Sequence, residues 1–275
     1  MGNAALRRLL DRRPRLFGLA VVASLLVLTA LSRLSFPRAP VKNIKRLPEE
    51  AFEPPSGLDR VISDLKNPDV LFWVLAILLA SILLVRTGLW REAGFNRPIT
   101  KNLKLLWFPI FVGVLALSGG AFMSGLDALT STFLVVLVAV FAEELVFRGL
   151  LWRAFTPRGP VEAMILTSLL AGALALGRAA TDGPWPEAVR ITVLAACGGF
   201  TYAALRWRTA SLLPVIVVHA AFAFALDIST LGSVSYRVTM ILSTLGFVFY
   251  GLFLLRNRQA RADGGVAGQK PSRVK

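Results

Sequence analysis

Eight apolar runs, most of them long enough to cross a bilayer, divide the 275-residue chain. A membrane-spanning α-helix needs about 20 mostly apolar residues, and it satisfies its own backbone hydrogen bonds inside the hydrocarbon. Hydrophobic residues make up 55% of the chain and the mean hydropathy is +0.65, more than a soluble core requires. We therefore predict an all-α, polytopic membrane protein with about eight transmembrane helices, at residues 16–34, 70–89, 105–123, 129–155, 161–176, 188–207, 212–226 and 236–255.

The net charge of +15 has a different meaning in such a chain than in a soluble protein, where it would indicate nucleic-acid binding. Basic loops hold membrane helices in orientation and contact anionic lipids, so we expect membrane lipids as partners and no nucleic acid. Eight helices place both ends on one side, and most of the 31 lysines and arginines then fall on that side. This bias predicts that both termini are cytoplasmic.

Two adjacent carboxylates and an arginine interrupt the fourth apolar run, where residues 142–148 read AEELVFR. Ionisable groups at that depth are costly unless they are paired or face a polar cavity, so they are candidates for function. Glu144 and Arg148 are four residues apart and share one helical face, which allows them to pair. Glu143 is turned about 100° away and is left available for chemistry. The alternative is an ion pair that only locks two helices together.

The chain contains one cysteine, Cys197, and one histidine, His219. These counts exclude an intramolecular disulfide, a multi-cysteine metal site and any site that needs two histidines. Glu143 and His219 each lie about 10 residues, or ~15 Å, from the same side of the membrane, so they can meet. A carboxylate and a histidine in a wet pocket can activate water as general base or shared metal ligand. The alternative for His219 is a core histidine bonded to a backbone carbonyl.

Three stretches together resemble the CPBP family of intramembrane proteases, the CAAX protease and bacteriocin-processing group. The first is Glu143, Glu144 and Arg148, in the pattern EExxxR. The second runs from the glycine-rich residues 198–202 through the turn and helix start at 208–214 to His219. The third is the connector 94–98, which reads GFNRP and resembles bacterial members. The resemblance covers about half of the chain and identifies a member of this family, expected in a bacterial cell membrane.

The resemblance implies a CPBP-like helical bundle with a water-filled cavity. Residues 90–227 would form the protease core, after N-terminal helices and a polar loop (1–89, loop 35–68) and before a last helix and basic tail (228–275). In the family pattern, the first glutamate, here Glu143, activates the water that attacks a peptide bond. The last-motif histidine, here His219, stabilises the oxyanion together with an asparagine four residues on. Zinc is a possible cofactor, for which the available ligands are Glu143 and His219.

The chain departs from the family pattern at two positions. The helix after the glutamates should carry Phe-x-x-x-His, but residues 168–178 contain neither residue, and the asparagine position is Ala223. A two-histidine zinc site cannot be built from one histidine. Arg178 and Asp227 are polar groups that could substitute, although Arg178 lies far outward. Cys197 is a candidate nucleophile, with burial as a small apolar residue as its alternative.

Three functions remain from these observations. The leading hypothesis is an intramembrane endopeptidase that cleaves a peptide or protein substrate in the membrane near its cytoplasmic face, with Glu143, Glu144, Arg148 and His219 as its catalytic residues. The second is a catalytically impaired member that acts as a membrane scaffold or binding protein. The third is a transporter, which the sequence supports least because it lacks paired broken helices.

Overall fold

The computed structural model describes residues 10–35, 68–121, 125–181 and 184–256, and these residues are predominantly helical. Most of the predicted loop 35–68 and nearly all of the predicted basic tail lie outside the described residues. The α-helices of the described residues are α1 (Pro14–Ser35), α2 (Pro68–Thr87), α3 (Trp107–Ala116), α4 (Leu126–Glu144), the single-turn α5 (Trp152–Phe155), α6 (Pro160–Ala179), α7 (Trp185–Thr209), α8 (Leu213–Ile228) and α9 (Ser233–Arg256). This confirms the prediction of an all-α, multi-pass membrane protein.

Within the described ranges, six helical segments are long and apolar enough to cross a membrane, and α8 is a shorter apolar helix. One of the six begins before α3, because a 3₁₀-helix (Thr100–Leu106) leads into it. The segment that carries the glutamates is not among the six. It is helical without a break over residues 126–155, and we call it the rod. The eight predicted spans thus correspond to eight helical segments, of which six meet the length and hydropathy criteria for a span.

From α2 onward, the connections between successive segments are short, which makes these segments antiparallel and gives the bundle two ends. We call one end the basic face, defined by Arg15, Lys101, Lys104, Arg153 and Arg158, where α1 and α6 begin and α5 and α7 end. There Arg15 pairs with Glu162 at 2.9 Å. We call the other end the acidic–basic face, defined by Asp69, Arg178, Glu187 and Arg190, where Arg178 pairs with Asp69 at 3.0 Å.

A second basic-face contact fixes the connector that precedes α3. The backbone N–H of Leu212 donates to the carbonyl of Gly94 at 2.8 Å, and that of Ile99 donates to the carbonyl of Thr209. Gly94 has a φ of 107°, and a Cβ there would overlap the guanidinium of Arg206. The backbone conformation therefore favours glycine, and any larger residue would also require the Arg206 guanidinium to move. The GFNRP connector holds the α7–α8 turn, and hence the start of the histidine helix, in place.

The rod of residues 126–155 changes its winding directly after the glutamates. Residues Leu145–Leu151 form a π-helix, and all seven are buried. π-Helical turns are uncommon and occur often at functional sites, because they shift the side chains that follow by a fraction of a turn. Arg148 lies in this turn, so the local winding positions the arginine relative to Glu144.

Candidate active site

Glu144 is fully buried at the end of α4, and its charge is balanced within the protein. Arg148 Nη1 lies 3.2 Å from Glu144 Oε1, and only 2% of the arginine side chain is exposed. The four-residue spacing predicted this pair, and the structure contains it. Such a pair is stable only because each charge compensates the desolvation of the other.

His219 reaches the same carboxylate oxygen from α8. Its Nδ1 lies 2.8 Å from Glu144 Oε1, and 16% of the histidine side chain is exposed. The sequence indicated that His219 and Glu143 can meet because they lie at one depth. The structure places His219 at that depth but bonds it to Glu144, the neighbouring carboxylate. The alternative expectation, a core histidine bonded to a backbone carbonyl, is therefore wrong for Nδ1, whose partner is a carboxylate.

Glu143 is the carboxylate that remains available. Its side chain is half-buried, and within the described ranges it makes no hydrogen bond or ion pair. It lines a cavity of about 170 Å³ together with Arg148, Tyr202 and His219. The rest of the wall is apolar or glycine, including Ala171, Gly198, Gly199, Phe222, Ala223 and Phe247. Phe247 comes from α9, outside the predicted core 90–227, so the last helix also shapes the cavity.

A second cavity of about 350 Å³ shares Glu143 and Ile191 with the first. Its other lining residues come from the end of α6 and the start of α7, and they include Ala175, Arg178 and Glu187. Both cavities therefore border Glu143, and the second lies toward the acidic–basic face. Glu143, which makes no hydrogen bond or ion pair with the described residues, is thus open to cavities on two sides.

The glycine-rich start of the second motif permits α7 to approach Arg148. A Cβ on Gly199 would lie 2.7 Å from Arg148 Nη2. A methyl group at that distance would displace the guanidinium, so glycine here is a packing requirement. Gly199 therefore lets the second motif contact the first.

Tyr202 belongs to this site, although the sequence reasoning did not single it out. Its ring stacks on the imidazole of His219, with ring centroids 4.3 Å apart and an interplanar angle of 23°. Only 2% of the residue is exposed, and its hydroxyl has no hydrogen-bond partner within the described ranges. The only sequence signal was its place four residues after Gly198, on the same helical face.

Alanines occupy the cavity wall where the family pattern has polar side chains, and the possible substitutes lie elsewhere. Ala171 faces the first cavity from α6, so the helix that should carry a histidine presents a methyl group there. Ala223 faces the same cavity at the asparagine position. Arg178 lines the second cavity and pairs with Asp69, as its outward position indicated. Asp227 and Cys197 line neither cavity, so the structure does not place either beside Glu143.

The carboxylates and the histidine do not form a zinc site of the usual kind, which uses three or four protein ligands. In the part of the chain that the structure describes, no three His, Cys, Asp or Glu side chains are grouped closely enough to hold a metal ion. Glu144 Oε1 is already shared between Arg148 and His219. The donors present therefore do not fit the metal that the family resemblance raised.

Residues 125–225 match the family model described as type II CAAX prenyl endopeptidase Rce1-like. The segment is Rce1-like. The match spans Glu143, Glu144, Arg148 and His219, and it confirms the family recognised from the sequence motifs. The GFNRP connector lies before the matched residues. No curated protein and no solved structure matches the chain.

Proposed function

We propose that this protein is an intramembrane endopeptidase in which Glu143 activates a water molecule. The observation that carries the proposal is the difference between two adjacent carboxylates. Glu144 is fully buried and held by Arg148 and His219, whereas Glu143 lines two cavities and makes no hydrogen bond or ion pair with the described residues. A general base needs a free carboxylate that both water and substrate can reach, and Glu143 meets this requirement.

In the proposed reaction, the carbonyl of the scissile peptide bond lies in the first cavity. Glu143 takes a proton from water as the water oxygen bonds to the carbonyl carbon, which gives a tetrahedral oxyanion. The C–N bond then breaks, and the proton held by Glu143 passes to the leaving nitrogen. The products are a carboxylic acid and an amine, so atoms and charge balance without a further reactant. The Glu144–Arg148 pair holds His219 beside this carbon.

We propose a substrate class from the name of the family model and from the lining of the second cavity. The matching family model is described as type II CAAX prenyl endopeptidase Rce1-like. We propose that a membrane-anchored peptide enters through the second cavity, where Arg178 and Glu187 offer polar contacts beside apolar walls. The apolar first cavity then takes small or aliphatic side chains on either side of the cleaved bond.

Glu143→Gln should abolish cleavage while the protein stays folded. Loss of a general base typically lowers the rate by about 10²–10⁴. The measurement is cleavage, by purified protein in bilayer nanodiscs, of a prenylated peptide that ends in Cys-aliphatic-aliphatic-X, and of the same peptide without the lipid. Melting of the detergent-solubilised variant provides the folding control.

Glu144→Gln is the matched variant, because it changes the neighbouring carboxylate in the same way. It removes the charge that holds Arg148 and His219, so we expect a lower melting temperature as well as lost activity. Equal activity of wild type and Glu143→Gln would reject Glu143 as the base. Absence of cleavage by the wild type on both peptides would instead favour a scaffold or binding role.

A further inference from the structure

The hydroxyl of Tyr202 is a buried hydrogen-bond donor without a partner in the described residues. Tyr250 provides a comparison, because its hydroxyl donates to the carbonyl of Leu105 at 2.7 Å. Burial of a polar group without a hydrogen bond is costly, and such groups in native proteins call for an explanation. A bound substrate could accept the hydrogen bond of the Tyr202 hydroxyl, and the residues around Tyr202 support this explanation.

Those surroundings are the groups of the candidate active site. The Tyr202 hydroxyl interacts electrostatically with three charged side chains, those of Glu144, Arg148 and Glu143. The ring stacks on His219, and both residues line the first cavity with Glu143. A substrate carbonyl attacked by a water on Glu143 would therefore lie in the same cavity as the Tyr202 ring.

The contact between His219 and Glu144 occupies the Nδ1 atom of the imidazole. Glu144 Oε1 forms an ion pair with Arg148 at 3.2 Å and a hydrogen bond with the Nδ1 of His219 at 2.8 Å. A carboxylate held by an arginine only accepts, so the Nδ1 of His219 is the donor and carries a proton. In the neutral imidazole, Nε2 is then an acceptor and cannot donate to an oxyanion. Arg148 is held by Glu144. Ala223 brings a methyl group to the cavity wall where the family pattern has an amide.

We propose that the Tyr202 hydroxyl donates a hydrogen bond to the oxyanion of the tetrahedral intermediate, in place of the missing amide at Ala223. This inference rests on the proposed endopeptidase function. The phenol keeps its proton and acts only as donor, so the balance of the reaction is unchanged. The hydroxyl gains its partner when negative charge develops on the carbonyl oxygen, which is the condition for faster catalysis.

Tyr202→Phe tests this role, because it removes one oxygen atom that makes no hydrogen bond in the described structure. Loss of one oxyanion donor lowers kcat by about 10²–10³, and we expect this fall with little change in KM. The melting temperature should stay equal to that of the wild type or rise. Tyr250→Phe is the matched control, since it removes the hydrogen bond to Leu105, neither residue lines either cavity, and kcat should be unchanged.

The double variant Tyr202→Phe with Ala223→Asn separates catalysis from packing. An asparagine at position 223 would restore the donor of the family pattern, and we expect it to recover at least about tenfold in kcat. Unchanged kcat in Tyr202→Phe, with Glu143→Gln inactive, would overturn this inference and leave the proposed function intact. A fall in kcat with a matching fall in melting temperature, and without recovery in the double variant, would assign Tyr202 to packing and also overturn it. A wild type that cleaves neither peptide would overturn both proposals.

Discussion

Arg148 lies in a buried π-helical turn, and its charge is compensated by Glu144. Arg148→Ala would leave the carboxylate buried and opposed only by His219. Breaking a buried ion pair by removing one partner typically costs about 3–5 kcal/mol, so we expect a large drop in the melting temperature in detergent.

Arg158→Ala is the control for this prediction, because Arg158 and Glu162 are also a Glu–Arg pair four residues apart. Both side chains are about one-third exposed, and solvent screens their interaction. We expect no measurable change in melting for this variant. Similar melting of Arg148→Ala and wild type would show that the buried pair is not required for stability.

At the level of single residues, the sequence was most informative where an ionisable side chain stands in an apolar run. Two glutamates, an arginine and the single histidine stand out in apolar runs, and all four lie at one site. Tyr202 could not be found in this way, because a tyrosine in an apolar helix is ordinary. Its interest depends on an unmade hydrogen bond, which only the packed structure shows.

At the scale of elements, the contact between the two motif helices depends on a glycine. Gly199→Ala would put a methyl group 2.7 Å from Arg148 Nη2, so the guanidinium or α7 must move. We expect reduced cleavage and a lower melting temperature. Gly113→Ala in α3 is the control, since a Cβ there would be 3.6 Å from the backbone of Phe222, an ordinary contact, and Gly113 lines neither cavity. Equal loss in both variants would mean that helix propensity or general crowding, rather than the arginine, is decisive.

Hydropathy predicted the helices well, but it did not predict their local winding. The spans predicted at 70–89 and 188–207 correspond closely to Pro68–Thr87 and Trp185–Thr209, because long apolar runs have few alternatives in a membrane. The π-helix Leu145–Leu151 has no such signal. Its winding depends on how the buried side chains of this segment pack against neighbouring helices, which a pattern of single residues does not encode.

At the scale of the whole molecule, the two faces differ in charge and in access to Glu143. The basic face carries many of the described lysines and arginines, and positively charged segments are retained in the cytoplasm. Glu143 lies about 18 Å from the end of α5 at that face, estimated at ~1.5 Å per residue. The second cavity, however, leads from Glu143 toward Arg178 and Glu187 at the acidic–basic face. The sequence predicted that the reaction takes place near the cytoplasmic side, whereas the second cavity lies toward the opposite face if the basic face is cytoplasmic. The orientation of the bundle therefore decides from which side a substrate approaches Glu143.

Labelling of single cysteines in intact cells measures this orientation. Cys197→Ala removes the one native thiol, and Lys101→Cys and Thr181→Cys then place a thiol at an exposed position near each face. The positive-inside rule predicts that a membrane-impermeant thiol reagent labels the cysteine at 181 and spares the one at 101 until the membrane is opened. A control with a permeant reagent should label both. The opposite pattern would place the second cavity on the cytoplasmic side, and would show that the charge of the described loops does not set the orientation of this bundle.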